Sequence, residues 1–186
     1  MWSPGMTIRP ATCDDYEAAV ELNRQVAPDR ELTREQFQRW LGTTTVAATS
    51  AGEIVGLCHG NHTSATWQSF VVTPEPPAEW RCSYLDTLVV ADDHRGHGIG
   101  AELLEHFLET ARAAGNAWVV LRPMPSDPVH DAAELLTFYG AAGFVPLQHR
   151  LSHGLTRAPM LGRALVEHPD HTIEPLQVTA RGPGGH

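Results

Sequence analysis

Hydrophobic and polar positions along this chain switch between a period of about two and a period of about 3.6, and the switches mark the elements. Met6 to Pro10 reads as a short strand. Thr12 to Asp15 then has the Ser/Thr-x-x-acid form of a helix-capping box. Tyr16, Ala19, Val20 and Val26 follow on one helical face before Pro28 stops the helix. A second box, Thr33 with Gln36, opens a short helix carrying Phe37, Trp40 and Leu41 inward. Thr43 to Ala48 and Ile54 to His59 form a predicted antiparallel hairpin around Ser50, Ala51 and Gly52.

Between Asn61 and Trp80 the pattern becomes irregular, with Trp67, Phe70 and Trp80 set among Pro74, Pro76 and Pro77. These aromatics are expected to cover one end of the core, with a wall or lid over a substrate as the alternative. Leu85 to Val90 is too continuously apolar for an edge with one wet face, which predicts a central strand. Leu103, Leu104, Phe107, Leu108 and Ala111 recur at helical spacing from near Ile99, and Gly115 supplies the stop. Trp118 to Leu121 is a second central strand. A helix is expected from Asp131 to Ala142, a strand from Phe144, and a last strand over Pro159 to Leu165. Periodicity then ends. The expected organisation is one domain over residues 1–166 and a loose tail over 167–186, either free or packed on a neighbour.

The 186 residues suffice for one well-cored domain, and a hydrophobic fraction of 42% with no long apolar run excludes a helical membrane protein. MWSPGMTIRP lacks the basic region and apolar core of a signal peptide, so a cytoplasmic location is expected. Cys13, Cys58 and Cys82 are odd in number and far apart, which suits reduced thiols. A net charge of -9 opposes nonspecific nucleic-acid binding and favours cationic partners, amines among them. The histidine pairs His59 with His62, His94 with His97 and His168 with His171 suggest no third ligand, and no metal is expected.

The candidate chemistry starts at the turn between strand and helix. Gly96, Gly98 and Gly100 remove Cβ atoms where a ligand could approach the backbone, and the following helix points its unpaired N–H groups there. Arg95 adds positive charge. The dinucleotide pattern GxGxxG fails for want of its third glycine, and the P-loop fails for want of Gly-Lys-Ser/Thr. Arg/Gln-x-x-Gly-x-Gly/Ala matches Arg95-Gly96-His97-Gly98-Ile99-Gly100 at every fixed position.

With this motif the chain resembles the GNAT superfamily, the general-control-type N-acetyltransferases that use acetyl-coenzyme A (acetyl-CoA). Tyr84 to Val90 is similar to that family's central strand, Phe138 to Phe144 to its Tyr-x-x-x-Gly-Phe segment, and Met6 to Thr12 to its first strand. The resemblance implies an α/β (α+β) fold: a single mixed, mostly antiparallel sheet of six to seven strands, about four helices and a splayed central strand pair. It implies acetyl-CoA as co-substrate, with pyrophosphate on Arg95, Gly96, His97, Gly98, Ile99, Gly100 and Ala101. The pantetheine arm would lie along Leu88, Val89 and Val90, with an N–H of Val89 or Val90 facing the thioester oxygen. Tyr139 falls at the general-acid position. Asp86, a lone carboxylate within the strand, is the first candidate for the base, acting through water, with His59 a weaker one. Many relatives carry an asparagine where this chain has Ala132, so no coenzyme contact is expected there. The expected acceptor is a small or amino-acid-like amine. A protein or peptide acetyltransferase and a noncatalytic acyl-CoA sensor are the alternatives, and a homodimer is compatible with the resemblance.

Overall fold

A computed structural model describes residues 5–26, 31–63, 81–123, 132–147 and 160–166. The expected wall or lid at 64–80, the tail at 167–186 and the pair His168 with His171 lie outside the described residues.

Eleven regular elements run through the described residues: β1 (Thr7–Pro10), α1 (Tyr16–Val26), α2 (Arg34–Trp40), β2 (Thr44–Ala48), β3 (Ile54–Asn61), β4 (Arg81–Val90), α3 (Ile99–Ala113), β5 (Asn116–Leu121), α4 (Ala132–Ala141), β6 (Val145–Leu147) and β7 (Met160–Ala164). The seven strands form one sheet in the order β1-β2-β3-β4-β5-β7-β6, antiparallel except for the β4–β5 pair. Mixed sheet and flanking helices are those expected. Parallel neighbours need a crossover, and α3 supplies it.

Two helical layers cover the two faces of the sheet. Ile99, Leu103, Leu104, Phe107, Leu108 and Ala111 of α3 are all buried, packing with Val55, Leu85, Val119 and Leu121 of the sheet and Tyr139 of α4. Ala19 and Leu22 of α1 join Phe37 of α2 on the opposite face, against Val46, Leu57 and Val89. The periodicity read from sequence is the core-facing stripe of α3, whereas on α1 the buried positions are Ala19 and Leu22, with Tyr16 and Val20 half-buried at its margin.

Local boundaries differ from expectation where a cap or a pairing decides them. The first capping box opens a 3-10 turn at Cys13–Asp15, and α1 begins only at Tyr16. The central strand starts at Arg81, four residues earlier than its apolar run, because β3 and β5 pair with its polar beginning. Leu41 belongs to a 3-10 turn after α2.

The entry of α1 is fixed electrostatically. Asp15, 6% exposed, accepts two hydrogen bonds from Arg9 at 2.7 and 2.8 Å and one from the Thr12 N–H at 2.7 Å. The Arg9 guanidinium, followed by the Thr12 donors, holds this carboxyl below the usual carboxylate range against the opposing effect of burial. Its stabilisation is complete above the unfolded value near 4 and is lost as pH falls through the lower folded value. Replacing Asp15 by alanine leaves Arg9 and the Thr12 N–H unanswered, and is expected to cost about 2 kcal/mol in urea unfolding. A cost under about 0.5 kcal/mol, the scatter of ordinary surface substitutions, would remove this role.

Candidate active site

The glycine turn has the geometry of an anion cradle. Gly96 and Gly98 have φ of 77° and 86°, values that disfavour any residue with a Cβ. An added Cβ at either would meet nothing within 4 Å, so the space beside this backbone is open to a ligand. Gly98 caps α3 without a side-chain hydrogen bond, leaving the N–H groups of the first turn to an anion. Gly100 differs. Its Cβ would sit 3.6 Å from Phe138 and Val90, ordinary contacts that admit alanine and match the Gly/Ala freedom of the motif. Arg95 donates from Nε to the Val90 carbonyl at 3.0 Å and pairs with Asp92 at 2.6 Å. It braces the turn against the end of β4 as well as carrying charge. His97 is exposed, and its Nδ1 lies 3.3 Å from the His94 carbonyl oxygen.

A bulge and a splay shape β4 leading into that turn. The register against β3 runs from Gly56 opposite Val90 to His59 opposite Thr87, then resumes with Gly60 opposite Leu85. Asp86 is the extra residue, and one extra residue reverses which side chains face which layer. Accordingly Leu85, Leu88 and Val90 all pack toward α3, whereas Val89 packs toward α1 and α2. Pairing with β5 ends at Leu85 opposite Leu121. From Asp86 to Val90 the flank of β4 that faced β5 has no strand partner among the described residues, which is the expected splay.

Backbone alternation decides which groups face this slot. The Ala91 N–H donates to the Val55 carbonyl on β3 at 2.9 Å, so by alternation the Val89 N–H also points to β3. The N–H groups of Leu88 and Val90 point the other way. Of the two donors expected to face a thioester, Val89 is thus turned away and Val90 toward the slot, with Leu88 as the second inward donor. The cause is the strict alternation of an antiparallel ladder, whose phase no side chain in the sequence marks.

The slot opens into a cleft of about 220 Å³, lined by Asn23, Glu31, Leu32, Gln36, Trp40, Tyr84, Asp86, Thr87, Leu88, Arg122, Pro123, Leu135 and Tyr139. Asp86 and Tyr139, far apart in sequence, meet at its walls. Tyr139 is 7% exposed and packs edge-on to Phe138 and Phe144. Burial raises its hydroxyl well above the usual tyrosine range, so this group is protonated at neutral pH with margin to spare. Asp86 is exposed, accepts from the Thr87 hydroxyl at 3.3 Å and makes no ion pair among the described residues.

His59 is buried away from this lining. Its ring stacks on Trp40 at 4.2 Å, and its Nδ1 lies 3.0 Å from the Thr44 hydroxyl, which itself donates to the Trp40 carbonyl at 2.7 Å. With that hydroxyl hydrogen committed, His59 must donate from Nδ1. Burial pushes its pKa down to about 4. A neutral, hydrogen-bonded, stacked imidazole braces Trp40 as a cleft wall rather than taking protons. Arg122 was missed in the sequence, since one arginine after a strand is indistinguishable from a solvated loop residue. Among the described residues no group of three or more His, Cys, Asp or Glu side chains is arranged to hold a metal ion, and no helix is long and apolar enough to cross a membrane.

Solved structures share the architecture at low identity. Ard1 from Thermoplasma volcanium aligns with a TM-score of 0.63 and 21% identity, over 88% of this chain and 99% of its own. yncA, a putative acetyltransferase from Salmonella typhimurium solved with its cofactor acetyl-CoA, aligns with a TM-score of 0.62 and 19% identity, over 88% and 95%. Rv2747 from Mycobacterium tuberculosis, in complex with CoA and NLQ, gives 0.65 and 15%, over 86% and 99%. No curated protein matches the sequence significantly. The model of the acetyltransferase (GNAT) family matches residues 10–132, from the first strand through the cradle and β5 but short of Tyr139. A match over most of the chain, joined to a seven-stranded sheet splayed beside a glycine cradle, places this protein in the GNAT acetyltransferase family.

Proposed function

We propose that this protein transfers the acetyl group of acetyl-CoA to the primary amine of a small or amino-acid-like acceptor, by direct attack within a ternary complex. The observation that carries the reading is one continuous path: the open flank of β4 has the anion cradle at one end and the cleft with Asp86 and Tyr139 at the other.

In this reading the backbone from Arg95 to Ala101 holds the pyrophosphate, with no side chain between phosphate and N–H. Val90 pairs with the pantetheine arm. The Leu88 N–H, which borders the cleft, takes over the role expected of Val89 or Val90: it donates to the carbonyl oxygen as negative charge develops there. Bound acetyl-CoA supplies the activated thioester carbonyl. An acceptor amine must first lose a proton, because its reference pKa lies near 10.4 for a lysine-like group, and Asp86 receives that proton through water. The amine nitrogen forms the new C–N bond, the C–S bond breaks, Tyr139 gives its hydroxyl proton to the departing sulfur, and the second proton of the newly bonded nitrogen returns through water to the Tyr139 oxygen. The products are the N-acetyl compound and the free CoA thiol.

Incubation with acetyl-CoA and a panel of small amines, following thiol release, tests this reading. Release that depends on the amine is the expected result. Tight acetyl-CoA binding without release for any amine would replace it with the sensor reading, and release only with peptides would move the acceptor class. The cradle has its own test. Gly98→Ala puts a methyl into the open space beside the cradle and strains the left-handed backbone by about 1–2 kcal/mol; a turn that relaxes to relieve this strain must be restored on binding, so CoA affinity by calorimetry is expected to fall up to about tenfold. Unchanged affinity would move the pyrophosphate elsewhere.

A further inference from the structure

Arg122 stands just past the end of β5, where the chain leaves the sheet, and lines the same cleft as Asp86. Its Nε is buried without a hydrogen-bond partner, and among the described residues its guanidinium makes no ion pair. The other arginines with recorded pairs show what this chain ordinarily does with a guanidinium: Arg9, Arg24, Arg34, Arg95, Arg112 and Arg163 each face a carboxylate within 4 Å. A partly buried donor left unanswered beside a cleft is an unmet demand for an anion. Its planar fork suits a carboxylate best, since two parallel N–H groups meet two oxygens.

Tyr84 lines the cleft with both charged groups. Burial raises its hydroxyl above the usual tyrosine range, Asp86 adds to that rise and Arg122 opposes it, so both charges act at this ring. The cleft therefore holds a negative group and a positive group near one aromatic ring, with Trp40 and Leu32 as apolar wall. That pattern complements a molecule carrying an ammonium at one end and a carboxylate at the other. The volume of about 220 Å³ is below the roughly 300–1,000 Å³ of sites for drug-sized ligands.

We infer that Arg122 is the carboxylate anchor of the acceptor site, and that the acceptor is a small zwitterionic amino acid whose amine is held on the Asp86 side. The inference rests on the acetyltransferase reading above and adds to it a substrate class and a specificity-determining residue. Anchoring by Arg122 fixes the distance from carboxylate to attacking nitrogen, so matched acceptors without the charge lose orientation as well as affinity.

The test compares free amino acids with their carboxamides on the wild-type protein at saturating acetyl-CoA, following thiol release. kcat/KM is expected to be about 100-fold higher for the acids. Arg122→Gln is expected to remove that preference, losing about 100-fold on acids and less than about 3-fold on amides, with KM for acetyl-CoA unchanged. Arg122→Lys, which keeps charge without the fork, is expected to fall between them. Equal rates for acids and amides in the wild type, a result needing no variant, would overturn the anchor while leaving the acetyltransferase standing. So would an Arg122→Gln variant that keeps the acid preference. No release with any amine overturns the acetyltransferase reading instead. Calorimetric titration of the amino acids into the CoA-loaded protein then decides the anchor alone: binding by wild type but not by Arg122→Gln sustains it, and equal or absent binding removes it.

Discussion

Tyr139→Phe is expected to lower kcat about 10²- to 10³-fold while KM for acetyl-CoA stays within about twofold. The substitution removes one oxygen and keeps the ring that packs edge-on to Phe138 and Phe144, so the wall of the cleft and the α3 face of the core keep their shape. What is lost, in the proposed reading, is the hydroxyl that gives its proton to the departing sulfur. The loss should fall on turnover because the departing sulfur needs that proton only as the C–S bond breaks. Stopped-flow or steady-state thiol release at saturating acetyl-CoA measures it. Turnover within about threefold of wild type would remove Tyr139 from the chemistry and return it to the core.

Gly60→Ala is expected to destabilise the fold by about 3 kcal/mol, lowering the melting temperature by about 6–12 °C. Gly60 sits on β3 where the register resumes past the bulge, opposite Leu85. An added Cβ would overlap the Tyr84 carbonyl oxygen and the Phe107 ring. The ring belongs to a buried α3 side chain, and the carbonyl belongs to the backbone of the central strand, so neither can turn aside cheaply. Strain at this point also pushes on the bulge that presents Asp86, so activity should fall further than the melting temperature alone predicts. A melt within about 2 °C of wild type would show that the two strands separate here more easily than their packing indicates.

The helices and strands were legible because their periods are clean. Six buried positions on α3 carry the pattern, and of the three inward positions read for α2, Phe37 is buried while Trp40 and Leu41 are half-buried. The cradle was legible because positive φ leaves a direct mark in sequence as glycine. The bulge was not read, although it left a trace: Asp86-Thr87 are two polar residues in a row between Leu85 and Leu88, where simple alternation permits one. The turning away of the Val89 N–H left no trace, since hydrogen-bond phase is set by partners on β3 and three successive apolar residues fit either phase. Arg122 was equally silent. Its proposed role rests on a buried Nε without a partner among the described residues, and that is a property of packing.

Donor and acceptor recognition are written in different materials here. The cradle uses main-chain N–H groups that every residue but proline possesses, and only Gly96 and Gly98 are tied to their identity by backbone conformation. The proposed acceptor cleft is built from side chains on several separate elements, with Trp40 from α2, Tyr84 and Asp86 from β4, and Arg122 from just past β5 among them. Genetic drift can therefore rewrite the second without touching the first. A lineage bearing this scaffold is free to change what it modifies, one point mutation at a time, while the source of the group it transfers stays fixed.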